Sequence, residues 1–304
     1  MLDICLLGTG GMMPLPERWL SSVLLRYNGK MILTDCGEGT QIIMRKAEWG
    51  FKEIEAICLT HYHADHVSGL PGLLLTIGNS GREENLVIIG PKGLKNLVEC
   101  LTVISPQLPF GIELIEIENN KGCEILQNGV IVEYLSVDHN IPCFSYSFNI
   151  KRQGKFDPER AKKEGIPQRF WSMLQRGEII KDDGRTFLPE MVLGEERKGL
   201  KVSICTDTRP TLGMADFIRD SDVFICEGMY GEDEKLEKAI EKKHMLFSEA
   251  AKLATDGNVK EMWLTHFSPS IKDPEEYLDN AKRIFNNSIA GKDLMCKTLS
   301  FTDS

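Results

Sequence analysis

The stretch His61-Tyr62-His63-Ala64-Asp65-His66 constrains this chain more than any other, because it places three imidazoles and a carboxylate within six residues. The whole chain holds six histidines in 304 residues, so half of them fall here. Imidazole and carboxylate suit zinc and similar divalent ions, and a single zinc usually takes four ligands. Side chains two apart converge in an extended or turning segment, so His61 and His63 can share one ion. Asp65 and His66 are adjacent and aim elsewhere, which points to a second ion. The helical protease pattern, with His at i and i+4, does not occur here. The apolar run Ala56-Ile57-Cys58-Leu59 just before reads as a buried strand, which puts the candidate ligands on a loop at a strand end.

The rest of the chain alternates strand and helix. Strands are expected at 3–9, 22–27, 31–35, 54–60, 86–89, within 112–150, and at 201–206, 222–226, 260–265 and 294–301. Asn28-Gly29 marks a hairpin between the second and third. Helices are expected from Thr40 to about Trp49, Gly69 to Ile77, Leu94 to Ile104, and over 233–243, 248–256 and 274–286. This alternation in both halves predicts a mixed α/β class with two sheets. Several strands end on a residue able to bind a metal: Thr34-Asp35, Thr60-His61, Thr206-Asp207, Cys226-Glu227 and Thr265-His266. Open α/β sheets assemble their sites at such carboxyl ends.

Composition narrows the class. A net charge of −9 argues against a uniformly basic nucleic-acid binder without excluding a local basic surface. The nine cysteines are an odd number with no CxxC pair, and several sit in apolar strand-like runs, so they read as reduced and buried, and a cytoplasmic location follows as the default. Met1-Leu2-Asp3-Ile4 enters a strand without a basic segment, so no signal peptide is expected, and no apolar run reaches the ~18 residues of a membrane span.

One stretch departs from this balance. Residues 151–187 carry ten Lys/Arg against six Asp/Glu, a local charge of +4, together with Phe156, Phe170 and Trp171. Such a run is either a solvated insertion or an arm that grips a polyanion, with its aromatics free to pack or stack.

Two ions need more ligands than the hexapeptide supplies. His139, after the strand ending at Val137, and His266, after Thr265, are the remaining imidazoles at strand ends, and Asp207 is the best further carboxylate, placed to bridge two ions.

These motifs together resemble a known family. His61 to His66 matches the HxHxDH signature of the metallo-β-lactamase superfamily. Leu7-Gly8-Thr9-Gly10-Gly11, Asp35-Cys36-Gly37-Glu38-Gly39-Thr40-Gln41, His66-Val67-Ser68-Gly69-Leu70-Pro71-Gly72-Leu73, Thr206-Asp207-Thr208-Arg209, the His244 segment and Leu264-Thr265-His266-Phe267-Ser268 are similar to the tRNase Z (ribonuclease Z) family, almost end to end. The resemblance implies a four-layer αββα sandwich: one metallo-β-lactamase-like domain over 1–304, with a basic tRNA-gripping arm inserted at about 151–187. It implies two Zn²⁺ per chain, with Mn²⁺ or Fe²⁺ as alternatives. His61, His63 and His139 would hold one ion, Asp65, His66 and His266 the other, and Asp207 both. By the same resemblance His244 would match a catalytic histidine that is not a ligand. As a mechanistic expectation apart from the resemblance, Asp65 acts as general base and Glu227 orients His244. Family members act as homodimers and cut precursor tRNA after the discriminator base, leaving a 3′-hydroxyl. Two departures stand out: Trp19 after Arg18, where the family often has Asn, and Gly165-Ile166-Pro167, where the arm usually carries a Gly-Pro element. The alternatives are the same chemistry on a small phosphodiester, lactone or thioester, and a nucleic-acid binder with a degenerate site.

Overall fold

The computed structural model describes residues 1–105 and 107–302. Its first half builds one sheet. The strands are β1 (Leu2–Gly8), β2 (Ser22–Tyr27), β3 (Lys30–Thr34), β4 (Ile54–Cys58), β5 (Leu86–Pro91) and β6 (Ile112–Ile117). Asn28 and Gly29, both at positive φ (49° and 79°), turn β2 into β3, as a tight hairpin requires. From β3 to β6 the strands run parallel, each linked to the next through helices or a long loop: α1 (Thr40–Ala47), α2 (Ala64–Val67), α3 (Leu70–Asn79) and α4 (Leu94–Thr102). The crossovers follow from the parallel pairing, which a short turn cannot connect.

The second half builds a second sheet. Its strands are β7 (Lys121–Ile125), β8 (Ile131–Val137), β9 (Cys143–Arg152), β12 (Arg197–Cys205), β13 (Val223–Glu227), β14 (Met262–Thr265) and β15 (Ser288–Ala290), and β16 (Met295–Leu299) returns to pair with β1 in the first sheet. The helices of this half are α7 (Met214–Phe217), α8 (Leu236–Lys242), α9 (Phe247–Asp256) and α10 (Leu278–Lys282).

Alternation along the strands sets the layers, since successive side chains face opposite sides of a sheet. Cys5, Leu7, Leu24, Met31, Leu33 and Ile57 pack with Ile43, Met44, Leu70, Leu73, Leu74 and Ile77 from the helices of the first half. Cys205, Phe224, Cys226, Met262 and Leu264 pack likewise with Met214, Phe217, Phe247, Ala250, Ala251 and Ala254. The alternate residues Ile4, Leu6, Ala56, Cys58, Tyr146, Phe148, Ile204, Ile225 and Trp263 are equally buried, on the opposite faces of the two sheets. Tyr146 Oη donates to the Leu59 carbonyl at 2.8 Å and Phe144 N–H to the Thr60 carbonyl at 3.0 Å, so the second sheet lies against the carboxyl end of β4, where the His-rich stretch begins. Helix, sheet, sheet and helix thus form the four layers expected.

The chain divides into two compact units, one of Met1–Asn149 with Lys201–Ser300, the other of Ile150–Leu200 with the residues from Phe301. The second unit contains α5 (Pro158–Lys163), α6 (Trp171–Gln175) and the hairpin β10 (Ile180–Asp182) and β11 (Arg185–Phe187). It has its own core of Ala161, Ile166, Leu174, Ile180, Phe187, Val192 and Leu193. Phe156, Phe170 and Trp171 pack on that core, and the Trp171 indole donates to the Ile166 carbonyl at 3.0 Å, so these aromatics pack rather than stand free.

Several expectations need correction. Cys5 and Cys296 face each other in register across β1 and β16 and form a disulfide, so the nine thiols are not all reduced. Cys58, Cys205 and Cys226 are free and buried, as read from their apolar runs, and Cys36 and Cys143 are free and buried too, but Cys100 and Cys123 are exposed. Asp65 and His66 sit on α2, not on a loop. The single helix expected over 274–286 is a 3-10 turn at Pro274–Tyr277 followed by α10, and that over 233–243 begins as a 3-10 turn at Asp233–Lys235. Among the described residues no helix is long and apolar enough to cross a membrane.

Candidate metal centre

Seven candidate ligands converge from five places in the chain. His61 and His63 follow β4, and Asp65 and His66 open α2. His139 follows β8, Asp207 follows β12, and His266 follows β14. A shared local device aims three strand ends. Asp35, Asp207 and His266 each follow a threonine and each adopt positive φ, at 59°, 47° and 55°. That conformation is unfavourable for non-glycine residues and recurs where function over-determines the backbone. Here it turns the side chain off the strand axis at the sheet rim. The glycines of the opening motif serve close approach: a Cβ on Gly11 would lie 2.7 Å from the His266 ring, and one on Gly37 2.6 Å from the Asp65 carbonyl oxygen.

The donors form two groups. His61, His63, His139 and Asp207 are one, and Asp65, His66 and His266 the other, each with ligand atoms within 4.8 Å of one another. Asp207 faces both. Its Oδ2 is 3.6 Å from His61 Nε2 and 3.9 Å from His139 Nε2, while its Oδ1 is 3.3 Å from His66 Nε2 and 3.2 Å from His266 Nε2. Asp65 Oδ2 lies 3.4 Å from His266 Nε2 and 3.6 Å from His66 Nε2, and accepts the Met12 N–H at 2.7 Å.

Outer partners select the nitrogen each ring turns inward. His66 Nδ1–H donates to Asp35 at 2.8 Å, and Asp35 also accepts from the Thr60 amide at 2.8 Å and from the Thr60 hydroxyl. His139 Nδ1–H donates to the Lys243 carbonyl at 3.3 Å, and His61 Nδ1 meets the Thr60 hydroxyl at 3.0 Å. The remaining nitrogens point at one another: His61 Nε2 to His63 Nδ1 at 3.1 Å, His139 Nε2 to His63 Nδ1 at 3.2 Å, and His66 Nε2 to His266 Nε2 at 3.2 Å.

The electrostatics agree with this arrangement. Burial pushes His61, His63 and His139 below the usual imidazole range and keeps them neutral, with lone pairs available. Burial opposes charge on His66 too, but Asp207 and Asp35 outweigh it and raise its pKa well above normal. The negative potential that draws a proton there is the potential a divalent cation would occupy. Burial alone would raise Asp65 and Asp207, but the surrounding histidines hold both below the usual carboxylate range. Converging lone pairs, buried carboxylates and a buried Asp207 Oδ1 without a hydrogen-bond donor fit divalent cations.

His244 lies beside both groups. Its ring stacks on His266, with centroids 5.5 Å apart, and is 5.4 Å from His139. Its Nδ1 is 3.1 Å from the fully buried Glu227 Oε2. Burial disfavours its charged form, yet Glu227 overcomes this and raises its pKa to about 9. Asp207, His244 and His266 also form a geometrically possible ligand trio, so geometry alone leaves His244 two roles. A cavity of about 540 Å³, lined by His63, Asp65, His139, Asp207, His244 and His266 with Met12, Tyr230, Lys238 and Lys242 on its walls, gives a substrate access to all of them. The sequence marks Asp35 as a strand-end acid and places Asp35 and Arg209 within family motifs, but it gives neither a role and does not single out Met12. The positive-φ positions that aim Asp35 and the Met12 amide have no sequence signal beyond the glycines around them.

The four layers and the rim cluster define a metallo-β-lactamase-fold, metal-dependent hydrolase. The ribonuclease Z of Clostridium acetobutylicum is 53% identical over 100% of both chains, and that of Lachnoclostridium phytofermentans is 52% identical over 99% of each. Human tRNase Z, short form, superposes with a TM-score of 0.70 at 24% identity over 98% of this chain and 100% of that one. A metallo-β-lactamase-fold protein of Bacillus subtilis superposes with a TM-score of 0.71 at 16% identity, over 97% and 98%. The chain belongs to the ribonuclease Z family. By its residues 2–157 it also belongs to the family described as Anti-Pycsar protein Apyc1.

Proposed function

We propose that this chain is a zinc-dependent endoribonuclease that removes 3′ extensions from precursor tRNA and leaves a 3′-hydroxyl. Full-length identity above 50% to ribonuclease Z proteins supports this over the small-substrate alternative. The single structural observation that carries the chemistry is the split of Asp207, one oxygen toward each group of histidines. His61, His63 and His139 would hold one Zn²⁺, Asp65, His66 and His266 the other, and Asp207 both. Mn²⁺ or Fe²⁺ would satisfy the same donors. When bound, paired cations lower the pKa of a water and offset charge on the non-bridging phosphate oxygens.

The protein's own groups do the rest. Asp65, pinned by the Met12 amide, keeps an ionised carboxylate at the cavity floor to orient the attacking water and accept its proton. As the bond from phosphorus to the ribose 3′-oxygen breaks, His244 Nε2 donates a proton to that oxygen. Glu227 on Nδ1 keeps the ring charged and turned. Acid assistance of this kind contributes roughly 10²–10⁴-fold.

The second unit is the candidate RNA-gripping arm. Within it, Arg160 donates to the Leu193 and Glu190 carbonyls, Arg185 to the Glu164 carbonyl, and Lys162, Arg169 and Arg176 pair with Glu159, Asp182 and Glu178. Lys151, Lys155, Lys163 and Lys181 have no such side-chain partner among the described residues, which makes them the candidates for phosphate contact. The same reading makes the enzyme a cytoplasmic homodimer, supported by family resemblance and by where precursor tRNA is found. Light scattering on the purified protein tests the dimer.

The test is incubation with a 3′-extended tRNA transcript and mapping of the cut. Cleavage after the discriminator base with a 3′-hydroxyl end is expected. A 3′-phosphate end, or no cleavage of the transcript beside turnover of a p-nitrophenyl phosphodiester, would sink the assignment.

A further inference from the structure

Three consecutive residues after β12 make three different connections. The Asp207 carboxylate enters the histidine cluster. The Thr208 N–H donates to Glu227 Oε1 at 2.5 Å, on the carboxylate that holds His244. The Arg209 guanidinium turns to the main chain of His244 itself: Nη1 donates to the His244 carbonyl at 2.5 Å. Arg209 also grips Glu249 with both arms, Nη1 to Oε2 at 2.7 Å and Nη2 to Oε1. Glu249 Oε2 in turn accepts the Leu246 N–H at 3.0 Å, at the start of α9. The pair is largely covered, with side-chain exposures of 15% and 21%.

The same turn fixes His139. Arg209 N–H donates to the Asp138 carbonyl at 3.1 Å, and Asp138 N–H to the Thr208 hydroxyl at 3.0 Å. Lys243, left-handed at φ 57°, closes the loop: its carbonyl accepts from His139, and its ammonium donates to Asp138 Oδ1 at 2.6 Å. The segment 243–246 connects α8 to α9 without regular structure of its own. Main-chain bonds anchor its ends, His244 N–H to the Ala239 carbonyl at 2.9 Å and Leu246 in a bridge with Tyr230, and the side-chain bonds to Arg209, Glu227 and Glu249 add the further ties between them.

We infer that Arg209, braced by Glu249, is a positioning residue that registers the His244 proton donor against the cluster that Asp207 enters. Arg209 is not among the residues that line the cavity, so its guanidinium acts through His244. It acts on the one step that needs His244, proton delivery to the departing 3′-oxygen as its bond to phosphorus breaks and the bond from water oxygen to phosphorus forms. A planar guanidinium with five donors spans a carbonyl and both oxygens of a carboxylate together, which an ammonium cannot do. The inference rests on the reading of His244 as acid.

The experiment compares Arg209→Lys and Glu249→Gln with His244→Ala on two substrates. Precursor tRNA loses a ribose oxygen that needs a proton. A p-nitrophenyl phosphodiester loses a phenolate that does not. Arg209→Lys should lower kcat on precursor tRNA by about 10²-fold, the low end of acid assistance, with KM within about threefold and the zinc content per chain kept. On the p-nitrophenyl ester the loss should stay below about fivefold. In the metal-free protein, amide exchange at His244 to Leu246 should speed up more than in the sheets. Equal losses on both substrates, loss of zinc, or unchanged kcat on precursor tRNA would overturn the positioning role. If His244→Ala itself loses both substrates equally, the acid reading fails. If His244→Ala is selective and the Arg209 and Glu249 variants are not, only the positioning role fails.

Discussion

The metal centre and the second unit use charge in opposite ways. In the centre, His61, His66, Asp207 and His266 are buried, and a small set of outer groups decides what each does. Low local dielectric makes every unpaired charge costly there, so position is everything. In the second unit charges lie at the surface, where a single ion pair is worth little and salt screens it. Lys162–Glu159, Arg169–Asp182 and Arg176–Glu178 are such pairs. Chemistry thus resides where one atom moved changes the outcome, and the RNA grip proposed for the second unit would rest on how many charges it carries. Substitutions in the two regions should consequently differ in kind as well as in size.

The largest effect belongs to Asp207. Asp207→Asn keeps the shape and removes the carboxylate charge that faces His66 and His266 on one side and His61 and His139 on the other. An outer partner of a metal site is worth roughly 10–100-fold in affinity, and if two ions are bound as proposed, a residue shared by both should exceed that. Metal content measured after dialysis should fall below two per chain, and cleavage of precursor tRNA and of the small ester should fall together. Retention of both metals would show that the two donor groups are held independently.

Glu227→Gln comes next and should act through pH. With Glu227, His244 has a pKa of about 9, so its proton is available at neutral pH and is lost as pH rises through about 9. The pair's contribution to stability is fully present below about 6.5, the unfolded value, and is lost over the same rise. Glutamine removes the charge, leaving burial to lower the pKa. The alkaline limb of kcat on precursor tRNA should move down by at least one unit, with a loss of at least about twofold at pH 8 from deprotonation of His244 alone. An unmoved limb would assign it to another group.

Much of the centre is legible in the order of residues alone, for a physical reason. A metal site needs a rare residue type at several strand ends, and six histidines in 304 residues make each one conspicuous. The repeated Thr-Asp and Thr-His endings mark the rim. The Cys5–Cys296 disulfide is not legible there, because its halves are 291 residues apart and only the β1–β16 register makes them neighbours. The Arg209 bridge is hidden likewise: its acceptor is a main-chain carbonyl, which carries no side-chain signature. In the second unit, the helices α5 and α6 are six and five residues long, too short to show a period.

The smallest expected effect tests the other side of the contrast. Lys151, Lys155, Lys163 and Lys181 changed together to Ala remove four charges that hold no structural bond among the described residues, so the core around Phe187 and Val192 should hold and the thermal midpoint should stay within a few degrees. If each lysine neutralises one phosphate, the slope of log KM against log salt should drop by about 0.7–0.9 per contact, roughly three for the set. KM for precursor tRNA should rise about tenfold near physiological salt, with kcat little changed. The four single variants should contribute similar, nearly additive shares, because exposed charges far from one another couple weakly. One lysine carrying most of the loss would mean that this unit, like the metal centre, recognises its target by a fixed contact rather than by summed charge.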